Sequence, residues 1–198
     1  MEKNTKDILT EIKNFRPQKS NQYSDVELNT SNSIDSVKKN WILDKDSMFT
    51  YNSNSKIISV FDAASYILRK TGEITTMKLH KLLYYAQAWS LVWDDKPLFS
   101  ENIEAWANGP AIRELFDYHK GHYSISNITI GNPDLLDSNQ KETINSVLNF
   151  YGGKSSQWLV ELTHMEEPWK NARMGLSPTE RGNKIISLPS ILEYYSSL

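Results

Sequence analysis

The chain has 198 residues, with 22 basic against 24 acidic side chains and a formal net charge of −2. That balance argues against nucleic-acid binding by phosphate neutralisation alone. The absence of cysteine removes disulfide frameworks, thiolate metal sites and thiol nucleophiles.

Composition changes near Lys56. Residues 1–55 hold eight Ser, eight Asn and no Gly, and their eight acids balance eight bases. A stretch so polar builds a core poorly. Within it, Ile8, Ile12 and Phe15 fall on one stripe, which predicts a short helix from Thr5 to Phe15 stopped by Pro17. Ser33 is placed to cap a second piece, with Ile34, Val37 and Trp41 at helical spacing. Trp41, Ile42, Met48, Phe49 and Tyr51 then form an apolar cluster in polar surroundings.

From Ile57 the apolar pattern is dense. Phe61, Ala64, Ile67 and Leu68 mark a helix ending near Gly72. Thr75 or Thr76 caps the next helix, 77–93, which is apolar nearly all round. Leu79, Leu83, Ala86, Ser90 and Trp93 share one face, with Leu82 and Trp89 on the adjoining one. Such a helix runs through the middle of a fold. Asp94-Asp95-Lys96-Pro97 reads as a turn, and Asn102 to Ala107 as a short strand. Gly109-Pro110 is expected to lead into a helix over 111–119, since proline is tolerated at a helix start. Tyr123 to Ile130 reads as an extended edge or irregular strand. Asp137 or Ser138 opens a helix ended by Gly152-Gly153, and Ser155 or Ser156 opens another carrying Trp158, Leu159 and Leu162. Glu167 to Arg173 is expected to be a loop or single turn, and Ser187-Leu188-Pro189 opens the last helix. The fold class expected is mainly α: a compact helical domain around a central buried helix, with one or two short strands and an N-terminal extension containing short helices.

No residue pattern anchors a reaction. His119 and His122 are three apart with Gly121 between them, which spoils a helical metal pair. His164-Met165-Glu166-Glu167 sets a base beside acids, but adjacent residues at a helix end read as a solvated terminus. No G-x-S-x-G elbow or phosphate-cradling glycine loop occurs. No catalytic residue, metal or cofactor is expected. Among the six tryptophans, the phases of Trp89, Trp106 and Trp158 suit core packing. Trp93 beside Asp94 and Asp95 reads as partly exposed, and Trp41 as an anchor into the chain's own body or into a partner. No apolar run approaches the roughly 18 residues of a membrane span. The first twenty residues also lack a signal-peptide core. A soluble, cytoplasmic protein is therefore expected.

Three segments resemble the SocA-like antitoxin, or Panacea, family over roughly residues 57–198. They are Lys78 to Trp89 (KLHKLLYYAQAW), Ile103 to Pro110 (IEAWANGP), and Leu162-Thr163-His164 followed by Glu167 to Arg173 (EPWKNAR). Ala111-Ile112 stands where the family often has a valine pair, a small departure at a packing position. The resemblance implies a domain over 57–198 whose motif core is Leu79, Leu83, Tyr84, Trp89, Trp106, Gly109, Pro110, Pro168 and Trp169. It implies an antitoxin from a phage, prophage or other mobile element that neutralises a cognate protein toxin by direct contact. Alarmone-synthetase-like translation inhibitors are among the toxins such domains accompany. The alternative it implies is an adaptor delivering the toxin to a Clp-type protease. Residues 1–56 lie outside the resemblance and are expected to set partner choice. Trp41, Ile42, Met48, Phe49, Tyr51, Trp93, Asp94 and Asp95 are the candidate toxin contacts.

Overall fold

The computed structural model describes residues 57–198. The helices expected within residues 1–56 and the cluster Trp41, Ile42, Met48, Phe49 and Tyr51 lie outside the described residues.

In chain order the elements are α1 (Val60–Thr71), β1 (Ile74–Thr75), α2 (Thr76–Trp93), β2 (Ile103–Trp106), β3 (Gly109–Ile112) and α3 (Arg113–His119). Then come β4 (Ser124–Ile125), a 3₁₀ turn (Pro133–Leu135), α4 (Ser138–Tyr151), α5 (Ser156–Met165), α6 (Glu167–Ala172) and α7 (Leu188–Ser196). The fold is mainly helical, with a small strand content split over two two-stranded antiparallel sheets, β1–β4 and β2–β3.

Local chemistry starts most of these helices. Ser59 caps α1 in a capping box with Asp62, and Asp137 does the same for α4 with Gln140. Thr75, Ser155 and Ser187 cap α2, α5 and α7 by accepting backbone N–H groups of the first turn. Each cap contributes on the order of 1 kcal/mol.

Helix α2 is the axis of the domain: every residue from Leu79 to Leu91 is buried. It packs on α1, α4, α5, α7 and β3, so no face is left for solvent. Polar residues on such a helix must find partners inside. Gln87 does so by accepting from the N–H groups of Leu98 (2.9 Å) and Phe99 (3.1 Å) and donating to the Phe99 carbonyl. Ser90 donates to the carbonyl of Lys96. These bonds fix the turn after α2 and aim the chain into β2.

Three expectations are corrected here. Gly109-Pro110 does not enter a helix; it opens β3, which pairs with β2 in the register Glu104↔Ala111 and Ala105↔Pro110. Ala107 and Asn108 make the hairpin turn, and Gly109, at φ 92° and paired with Trp106, closes it as the first residue of β3. Glu167 to Ala172 is a helix with Pro168 in its first turn. The extended stretch after Tyr123 pairs only at Ser124–Ile125, against β1. Tyr123 and Ile130 are exposed, while Ile128 is buried.

Candidate functional site

The three family-like segments meet at the β2–β3 hairpin. Along β2, Ile103 and Ala105 point into the core while Glu104 and Trp106 face outward, as the alternation of a half-buried strand requires. The hairpin backbone is then held from beneath by side chains of other elements. Lys81 of α2 donates from Nζ to the Pro110 carbonyl oxygen at 2.9 Å, and the Ile112 N–H donates to His80 Nδ1 at 3.1 Å. From the other side Trp169 Nε1 donates to the Trp106 carbonyl and Arg173 Nη1 to the Ala105 carbonyl, each at 2.9 Å.

The groups doing this are buried. Lys81 is 2% exposed, His80 5% and Arg173 5%. Burial pushes the Lys81 amine down to about 7, because a low-dielectric surrounding disfavours the charged form. His80 accepts at Nδ1, so its proton lies on Nε2 and is donated to Nε2 of His119, 2.9 Å away. Burial holds His80 well below the ordinary histidine range, reinforced by the charge of Lys81 and by His119. His164 stacks on Trp169 at 4.2 Å, and burial together with Lys81 lowers its pKa as well. A lysine poised near neutrality is a nucleophile in principle. Here it is enclosed and bonded to a backbone carbonyl, so its work is to clamp the hairpin.

A second polar centre lies deeper. The segment around Glu166 was expected to be a solvated helix end. Instead Glu166 is 2% exposed, and its carboxylate accepts from the Tyr85 hydroxyl at 3.2 Å and the Tyr195 hydroxyl at 2.8 Å. Burial raises its pKa to about 7, opposed by the tyrosine hydrogen bonds. Tyr85 stacks on Tyr151 at 4.0 Å, and Tyr195 lies edge-on to Tyr84, Tyr85 and Trp89.

On the solvent side the hairpin is preorganised. Glu104 accepts from Trp106 Nε1 at 2.6 Å and from Arg113 Nε and Nη2 at 3.0 and 2.8 Å. Arg113 also lies over the Trp106 ring at 5.0 Å, and Phe116 meets that ring edge-on. Burial raises the Glu104 carboxyl, but the hydrogen bonds from Arg113 and Trp106 outweigh it and leave the pKa below its ordinary value.

The structure separates the sequence-derived candidates. Leu79, Leu83, Tyr84, Trp89, Gly109, Pro110, Pro168 and Trp169 are buried. Trp106 and Trp158, expected in the core, are half-buried; Trp106 faces outward from β2, and Trp158 lies under the Lys154 ammonium at 4.9 Å. Trp93 is half-buried and stacked on Trp89 at 4.8 Å, and Asp94 accepts from the Thr143 hydroxyl at 2.7 Å. This end of α2 lies about 18 Å along the helix from Lys81, so Trp93, Asp94 and Asp95 do not join the hairpin surface. Sequence reasoning singled out none of His80, Lys81 and Arg173, and it read Glu166 as part of a solvated helix end. For the first two the available signal was charge or polarity on a helix otherwise apolar all round.

Among the described residues no group of three or more His, Asp or Glu side chains is placed to hold a metal. Within the same residues no helix is long and apolar enough to cross a membrane.

Residues 79–170 fit the family model described as antitoxin SocA-like, Panacea domain. Neither the comparison with curated proteins nor that with solved structures found a match. The matched residues run from α2 through the hairpin to α6, the elements that build and clasp the site. Over residues 79–170 the chain is thus similar to the Panacea domain of the SocA-like antitoxin family.

Proposed function

We propose that the chain neutralises a cognate protein toxin by binding it directly, with no bond made or broken by its own side chains. The observation that carries this reading is the match of 79–170 to an antitoxin family. The chemistry of the site supports it. The buried Lys81 and Glu166 are spent on internal contacts, whereas the outward face of the hairpin offers Trp106 and Arg113 in a fixed arrangement. Tryptophan and arginine dominate interface hot spots, and a held backbone lowers the ordering cost of binding.

The domain over 57–198 supplies the rigid body in this account. Residues 1–56, through Trp41, Ile42, Met48, Phe49 and Tyr51, add contacts that set partner choice, with Trp93, Asp94 and Asp95 as a further contact at the far end of α2. The toxin is of the translation-inhibiting kind that such domains accompany, and both proteins act in the cytoplasm.

Co-expression with the product of the adjacent gene tests the reading. The expected result is restored growth and recovery of both chains as one stable complex. Growth restored only when a Clp unfoldase is present, with loss of the toxin, would mark the chain as a proteolytic adaptor instead. Absence of any complex with a toxic neighbour would overturn both.

A further inference from the structure

The β2–β3 sheet does not end at β2. Ala105 N–H donates to the Lys184 carbonyl at 2.8 Å, and Ile186 N–H to the Ile103 carbonyl at 2.8 Å, so Glu104 and Ile185 stand opposite each other in an antiparallel bridge. In that register the N–H and C=O of Ile185 point away from β2. Asn183, Lys184 and Ile185 are all exposed, while Ile186 turns into the core. This is an open strand edge, the template on which another chain adds a strand.

The surroundings specify what would add. Ile185 is 55% exposed and Met174 71%. Beside them stand Lys184, whose ammonium reaches the Met174 carbonyl oxygen at 3.4 Å, and the exposed Arg181. The acid of this segment, Glu180, already accepts from the Ser177 N–H. A second copy pairing here would bring two Lys184 side chains within two residues of one axis, which like-charge repulsion opposes. We propose that this edge receives an extended segment of the partner protein, alternating apolar and acidic residues, as an added strand. The identity of that partner as a toxin rests on the function proposed above; the edge and its preference do not.

The probe is an end-blocked nine-residue peptide alternating Glu and Val, with a Lys–Val counterpart, titrated into the full chain and read by amide chemical shifts. The acidic peptide is expected to move the Asn183 and Ile185 amides, and the basic one to leave them unmoved. Ile185→Pro removes the outward donor, together with the exposed isoleucine side chain, at an edge position that tolerates proline. It should weaken the acidic peptide at least tenfold, as should Lys184→Glu, with the unfolding midpoint of each variant checked alongside. Equal response to both peptides, shifts confined to another surface, or undiminished binding by folded Ile185→Pro would overturn the proposal. So would concentration-dependent self-association that shifts the same two amides. A second arm uses the toxin. If the wild-type chain rescues growth but the bound toxin leaves Asn183 and Ile185 unprotected from hydrogen exchange, the edge proposal fails and the antitoxin reading stands. If the wild-type chain binds no toxin, the antitoxin reading fails and the peptides still decide the edge.

Discussion

The Nζ of Lys81 lies 2.9 Å from the carbonyl oxygen of Pro110, under the turn of the hairpin that faces solvent. Gly109 makes this approach possible. At φ 92°, a Cβ there would sit 2.7 Å from Thr163 Oγ1 and 2.8 Å from Lys81 Nζ and Cε. Gly109→Ala should therefore lose about 2–4 kcal/mol of stability, from left-handed backbone strain together with overpacking. Gly121→Ala is the control: its φ is 89° but nothing lies within 4 Å of a Cβ, so the loss should be about 1 kcal/mol. Urea unfolding of both variants gives the comparison, and equal losses would show that the buried contact contributes nothing.

Arg173 connects the hairpin to the loop that precedes the open strand edge. Besides the Ala105 carbonyl, it donates from Nη2 to the carbonyls of Ser177 and Glu180, each at 2.8 Å, and its guanidinium lies over Trp169. Lysine has no such fork. Arg173→Lys is expected to lose roughly 2 kcal/mol, and trypsin should cut after Arg181 several-fold faster while α2 stays protected. Unchanged cleavage would mean that the loop is held by other contacts.

The Glu166 carboxyl gives a pH signature with a defined sign. Its pKa rises from an ordinary 4.5 to about 7 on folding. Between those values the folded chain keeps a proton that the unfolded chain has lost. This group's contribution to stability therefore falls as pH rises from about 4.5 to about 7 and is constant above that. Glu166→Gln removes the slope. Relative to wild type, the variant should gain stability between pH 4.5 and pH 8 by up to something on the order of 3 kcal/mol. Thermal or urea unfolding across that range reads it. A difference independent of pH would show that the carboxyl is ionised alike in both states.

Much of the helical framework was visible in the sequence because its determinants are local. Thr75 announces α2, Asp137 α4 and Ser187 α7 through hydrogen bonds spanning only a few residues. The central position of α2 followed from its apolar surface on every side. What escaped depends on distant partners. Glu166 resembles a solvated helix end until Tyr85 and Tyr195, 81 and 29 residues away, close over it. Gly109-Pro110 suits either a helix start or a hairpin, and pairing with Ala105 and Trp106 decides between them. The strand edge at Asn183–Ile185 has no apolar alternation to announce it and is defined by bonds to β2, about 80 residues earlier. At the candidate site the motif residues were visible as a group, but the clamps Lys81, His80 and Arg173 were not, because a side chain's hydrogen-bond target is a tertiary fact.

The central claim is inhibition by contact alone. The direct measurement is toxin activity in a purified system without protease, titrated with the full chain. The account predicts activity falling to background at a fixed stoichiometry, with intact toxin recovered from the complex. A toxin that remains fully active when saturated with the chain, with no protease present, would contradict it.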